Sequence, residues 1–192
     1  MTSTAMRVIR DEHQAVAAVL RSLKMLVKRS HQNGVMPPFD VLRAMIFYVD
    51  EFPERLHHTK ETELLFPRVR ARRPELGPVI DKLDADHGHG EAAIRELEHL
   101  MLAFEVIGES RREAFENALD RYVEAYLTHM TLEDTQIIPA ARESLTPEDW
   151  AELDAAFAAN RDPLTGHKPD AQYARLFEQI VHHTPAPFGL GG

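Results

Sequence analysis

The pattern His-x-x-x-Glu occurs three times in this chain, at His57/Glu61, His87/Glu91 and His129/Glu133, and a further histidine, His13, precedes all three. A spacing of four residues puts both side chains of a pair on one face of an α-helix, one turn apart. Four such segments facing inward would converge four imidazoles and two or three carboxylates. That donor mixture suits iron, manganese or zinc and is poor for calcium or magnesium. Buried without compensation, so many polar groups would each cost several kcal/mol. A metal removes the penalty by taking their lone pairs directly.

The pattern around these pairs is helical throughout. From about Thr4 to Gln32, the residues Ile9, His13, Val16, Leu20, Leu23 and Val27 step by threes and fours, the seam of a bundle helix, and Asn33-Gly34 ends it. A second segment opens near Pro38 and runs to about Phe66. Pro53 should kink or briefly break it, and Pro67 and Pro74 should mark its exit. The third runs from about Glu75 to Ile107 through Ile80, Leu83, His87, Ile94, Leu97, Met101 and Phe104, stopped by Gly108. The fourth runs from about Ser110 to Arg142, with Phe115, Leu119, Tyr122, Tyr126, His129 and Glu133 on its seam.

The fold class expected is all-α: an up-down-up-down four-helix bundle over residues 1–143. Residues 144–192 form a helical extension and tail packed on it. Thr146-Pro147-Glu148-Asp149 is a helix start, Asp170 can cap a further short helix, and the tail from Pro185 is irregular. Because alternate helices run oppositely, the four histidines fall at one level of the bundle.

The other histidines serve as controls. His89 and His99 are rotated about 200° and 120° from His87 and should face outward. His31, His167, His182 and His183 fall in loops or near helix ends. His58 is only about 100° from His57 and is either an alternative ligand or a support behind one. Glu91 fits a third ligand pair, and equally fits a solvated acid beside Arg95. The metal-ligand candidates are His13, His57, Glu61, His87, Glu91, His129 and Glu133.

Composition excludes several other chemistries. With 31 acidic against 22 basic residues and a net charge of −9, no basic stripe is available to neutralise phosphates, so nucleic acid is not an expected partner. There is no cysteine, which rules out disulfides, thiolate sites and cysteine nucleophiles. No signal-peptide pattern precedes Arg10, and no apolar run approaches the roughly 20 residues of a membrane span. A cytoplasmic protein without a membrane partner is expected, its oligomeric state open.

The wording around the sites resembles the hemerythrin-like family of His-His-Glu cation-binding domains. It consists of Asp11-Glu12-His13, the run His57-His58-Thr59-Lys60-Glu61 continuing to Phe66-Pro67, Asp86-His87-x-x-Gly90-Glu91, and His129-Met130-x-x-Glu133, in order over roughly residues 5–142. The resemblance implies a four-helix bundle with two iron ions in a carboxylate-bridged, non-haem centre. Glu61 and Glu133 would bridge, His13 and His57 would hold one iron, and His87 and His129 the other. The sequence departs from the oxygen-carrying members, which place a second histidine where Glu91 stands. They also use an aspartate five residues after the last histidine, where this chain has Glu133 at four and Asp134 at five. A shell richer in carboxylates favours ferric iron, so simple reversible oxygen carriage is not the expectation.

A reduced centre of this kind binds dioxygen, nitric oxide or peroxide. The function expected is binding or sensing of one of these. The alternatives are a di-iron peroxidase or nitric-oxide-detoxifying enzyme, and an iron sensor or store. Tyr126, three residues before His129, either reaches the site or is a core aromatic with its hydroxyl at an edge.

Overall fold

The computed structural model describes residues 3–160, 162–167 and 173–183, and every regular element among them is helical. Helix α1, Thr4–Gln32, starts at Ser3 and ends where Gly34 adopts a left-handed φ of 63°. Its free N-terminal donors are met from far along the chain: Asp154 Oδ1 accepts the Ala5 N–H at 2.8 Å and the Ser3 hydroxyl.

The next stretch alternates α-helix with wider π-type turns. It consists of α2 (Phe39–Val49), a π turn (Asp50–His57), α3 (His58–Lys60), a second π turn (Glu61–Leu65) and α4 (Phe66–Arg72). Pro53 therefore does not break the helix. Its ring would crowd the carbonyl four residues back, and the widened turn absorbs that clash. Pro67 does not end the helix either, since α4 continues to Arg72.

After Gly77–Ile107 (α5), stopped at Gly108 with φ 95°, the last long stretch repeats the device. It contains α6 (Arg112–Leu132), a π turn (Glu133–Ile137) and α7 (Ile138–Ser144). Glu61 and Glu133 each open a π turn and are each followed six residues later by a proline, Pro67 and Pro139. The Phe66 N–H closes back to the Glu61 carbonyl, and the Ile138 N–H to that of Glu133.

Helix α8, Pro147–Ala158, begins with a capping box in which the Thr146 and Asp149 side chains each accept from the other's backbone N–H. It packs on α1, while α9, Ala174–His183, packs on α2. Asp170 and the tail from Pro185 lie outside the described residues. No helix among the described residues is long and apolar enough to cross a membrane.

The buried side chains form two apolar clusters. One contains Leu20, Leu23, Tyr48, Phe104, Phe115 and Leu119; the other contains Ile9, Phe66, Ile80, Ile137, Leu153 and Phe157. On each long stretch the polar candidates fall between them. His13 lies between Ile9 and Val16, His57 to Glu61 between Phe52 and Leu65, His87 between Leu83 and Ile94, and His129 to Glu133 between Tyr126 and Ile137.

Candidate metal centre

Five histidines and two glutamates meet in this polar layer. His13, His57, Glu61 and Glu133 form one group, and His58, Glu61, His87 and His129 a second; within each group the donor atoms lie within 4.8 Å of one another, and all seven residues are buried. Glu61 belongs to both groups. Its Oε1 is 2.9 Å from His57 Nε2 and its Oε2 3.6 Å from His87 Nε2. Glu133 likewise spans the two, with Oε2 3.4 Å from His13 Nε2 and Oε1 3.4 Å from His129 Nε2. The His87 and His129 Nε2 atoms face each other at 3.1 Å.

Six of the seven candidates read from spacing are thus brought together, and Glu91 is not. Its side chain is 60% exposed and accepts a hydrogen bond from Arg95 Nη2 at 3.3 Å. The inward row of α5 runs through Leu83, His87, Gly90 and Ile94, and Glu91 stands about 100° round the helix from Gly90. Space at Gly90 itself is tight: a Cβ there would meet the Glu54 carboxylate oxygens at 3.0 and 3.1 Å, so that carboxylate would have to give by a few tenths of an ångström.

The imidazole that completes the second group is His58. Both His57 and His58 point inward although they are adjacent, because a π turn narrows the angle between successive side chains. Tyr126 does reach the site, its hydroxyl 3.1 Å from His58 Nε2.

Behind the inward-facing atoms lies a ring of supports. His57 Nδ1 faces Glu12 Oε2 at 2.7 Å, His13 Nδ1 faces Asp134 Oδ1 at 3.1 Å, and His58 Nδ1 faces Glu54 Oε2 at 3.0 Å. His87 Nδ1 donates to Thr62 Oγ1 at 2.9 Å, the hydroxyl donating in turn to Asp84. With Nδ1–H committed to an oxygen, each ring is held in one orientation and its Nε2 is turned to the centre. Two supports are themselves buttressed. The Tyr122 hydroxyl donates to Glu54 Oε1 at 2.7 Å, and Asn160 Nδ2 donates to both oxygens of Glu12, at 2.9 and 3.0 Å.

Spacing carries a signal for Glu54, which precedes His58 by four residues, and adjacency one for Glu12, beside His13. It carries none for Asn160, which arrives from 148 residues away.

The electrostatics divide the imidazoles. Burial holds His58 well below its ordinary pKa and His87 down at about 2, each reinforced by neighbouring histidines, so both are neutral with a lone pair to offer. Burial pushes His13 the same way, but Asp134 and Glu133 outweigh it and raise the ring to about 9. His57 is raised by Glu61 and Glu12, and His129 by Glu133, again against burial. Burial and the neighbouring Glu133 raise Glu61, whereas His129 and His13 hold Glu133 well below the carboxylate range despite its burial. Protons on His13, His57 and His129 balance part of the charge of the two carboxylates.

They do so incompletely. His13 Nε2, Glu61 Oε2, both Glu133 oxygens and His129 Nδ1 are fully buried and make no hydrogen bond. Orphaned polar atoms at this density are costly in a folded protein, and here all but His129 Nδ1 belong to the inward-facing donor set. Bound cations would satisfy them, so the residues present fit a metal centre.

The profile of the hemerythrin HHE cation-binding domain matches residues 4–141, which contain all seven donors. The chain belongs to this family. No curated protein aligns with it as a relative. The hemerythrin match stops before α8, so Asn160 reaches the centre from beyond the matched region.

The centre is not sealed. A cleft of about 350 Å³ between α5 and α6 opens on it, with His58, His87 and His129 at its floor and Gly90, Ala93 and Ala125 along its walls.

Proposed function

We propose that this hemerythrin-family chain holds two iron ions, one at each donor group, and binds or senses dioxygen, nitric oxide or peroxide there. The observation that carries the reading is the pair of four-residue groups sharing Glu61, with Glu133 in contact with imidazoles of both. Seven donors are more than one ion takes from protein alone, and a mixed imidazole and carboxylate set suits iron. The helices that carry the donors would run up and down alternately. That topology is supported by the alternating order in which successive stretches meet the two apolar clusters.

Ferrous iron at such a centre supplies electrons to an oxygen- or nitrogen-containing ligand. The chain supplies the rest. Glu12, Asp134, Glu54 and Thr62 fix the rings from behind. His58 would offer its Nε2 lone pair, which the Tyr126 hydroxyl meets at 3.1 Å, once that hydroxyl gives way. The apolar clusters on either side keep water from the carboxylates.

The test is to load the protein with ferrous iron without oxygen and expose separate samples to dioxygen, nitric oxide and hydrogen peroxide. New visible absorption with at least one of them, absent from the iron-free protein, is the expected result. A loaded protein inert to all three overturns the reading.

A further inference from the structure

The cleft between α5 and α6 is far larger than a diatomic ligand requires. A small molecule such as water takes up about 30 Å³ in the liquid. At about 350 Å³ the cleft has room for roughly ten, and falls in the range of sites that hold organic ligands. Its walls are small and apolar on both sides, Gly90 and Ala93 on α5 and Ala118 and Ala125 on α6.

The charged side chains Lys82, Glu96 and Arg121 of the lining stand at exposed positions, and the buried part of the cleft offers little to a charged body. The Tyr122 hydroxyl is committed to Glu54, the Tyr126 hydroxyl beside His58 is uncharged, and Lys82 at the edge is paired with Asp86. The floor differs from the walls. His129, 5% exposed, lines the cleft beside the buried rings of His58 and His87, its Nδ1 3.7 Å from Asp86 Oδ2. An occupant suited to this space has an uncharged apolar body of about ten heavy atoms and a small polar end that meets the imidazoles.

Of the ligands considered for the centre, dioxygen and nitric oxide are fixed in size. Only a peroxide can carry a body that fills the volume. We propose that the cleft is a substrate site for an organic hydroperoxide, its apolar group between Ala93 and Ala125 and its peroxide end over His58, His87 and His129. This rests on the reading of the centre as a ferrous pair. In the reaction the O–O bond of ROOH breaks: two ferrous ions each give up one electron, two protons are taken up, and ROH, water and two ferric ions result.

Two measurements on the full chain test it. The first follows binding of 2-phenyl-2-propanol, the unreactive alcohol corresponding to cumene hydroperoxide, by NMR shifts of Ala93 and Ala125, with no metal required. The second follows single-turnover oxidation of the ferrous protein by cumene hydroperoxide and by hydrogen peroxide at equal concentration. Both use the wild type, Ala125→Phe, in which Ala93 alone reports binding, and Thr128→Phe; the two substitutions alter exposed cleft positions on α6.

The alcohol should shift both alanines, and cumene hydroperoxide should react at least tenfold faster than hydrogen peroxide. Either substitution should slow the organic substrate at least tenfold while leaving hydrogen peroxide within twofold. No alcohol binding, or equal effects of both substitutions on both peroxides, overturns the proposal. If the alcohol binds but neither peroxide oxidises the loaded protein, the cleft's apolar ligand stands and the ferrous-pair reading falls.

Discussion

His58 and Glu91 exchange the roles that four-residue spacing would assign them. Spacing counts turns of an ideal helix, and it locates His13, His57, Glu61, His87, His129 and Glu133 in the polar layer because each lies on an apolar seam. It cannot register a π turn, which brings His58 in beside His57, nor the occupation of the space next to Gly90 by Glu54. Two substitutions separate the accounts. His58→Ala should lower bound iron from two toward one per chain, whereas Glu91→Ala should leave iron content and visible absorption unchanged. The reverse pattern in metal analysis would restore the third His-x-x-x-Glu pair. A second residue-scale consequence concerns Asp162, buried and accepting from the Tyr48 hydroxyl at 2.7 Å. Burial raises its pKa from the usual 3.8 to about 6. A raised carboxyl contributes its stability in full below the unfolded pKa and loses it as pH climbs through the folded one. The wild type should therefore lose on the order of 2 kcal/mol between about pH 4 and pH 6 from this group alone. Asp162→Asn, which cannot ionise, should gain on the wild type in thermal melts as pH rises from 5 to 7. A difference between the two that stays flat with pH would show that Asp162 is not perturbed.

At the scale of elements, the long helices were readable and their interruptions were not. Gly34 and Gly108 end helices where left-handed or otherwise positive φ is needed, and Thr146 opens one with a full capping box, all signalled by local sequence. Pro53 and Pro67 read locally as breaks, yet the chain absorbs Pro53 inside a π turn and Pro67 directly after one, because apolar packing continues on both sides, at Phe52 and at Leu65 and Phe66. The extension past the hemerythrin match was legible as helix but not as part of the site. Through Asn160 it holds Glu12, which holds His57, and Phe157 of α8 sets its ring edge-on to His57 at 5.9 Å between centroids. Asn160→Leu should keep the volume and remove both donated hydrogen bonds. Losing a support of this kind weakens metal binding by about 10–100-fold. Chelator competition should report that loss together with a changed absorption spectrum. Unchanged affinity would make the extension a cover and nothing more.

For the whole molecule, the price of the metal layer is a belt of orphaned polar atoms between two apolar clusters. Metal that binds only the folded chain adds about 2.7 kcal/mol when free ion exceeds the dissociation constant a hundredfold. For a domain of this size that is a melting shift of roughly 5–10 °C. Stripping the metal should lower the midpoint by that amount in calorimetry, and an unshifted midpoint would mean that the belt is satisfied without cations. The sequence pattern was sufficient for the helices among the described residues and for most of the side chains that gather in the polar layer, since both depend on periodicity. The second row of contacts depends on packing between distant segments, as Asn160 with Glu12 and Tyr122 with Glu54 illustrate, and periodicity is silent about it. The claim beneath all of this is that the seven donors form two sites rather than one. Its most direct test is iron per chain, measured after anaerobic loading with excess ferrous iron and removal of unbound metal. Close to two ions per chain is the predicted result, and saturation at one would contradict it.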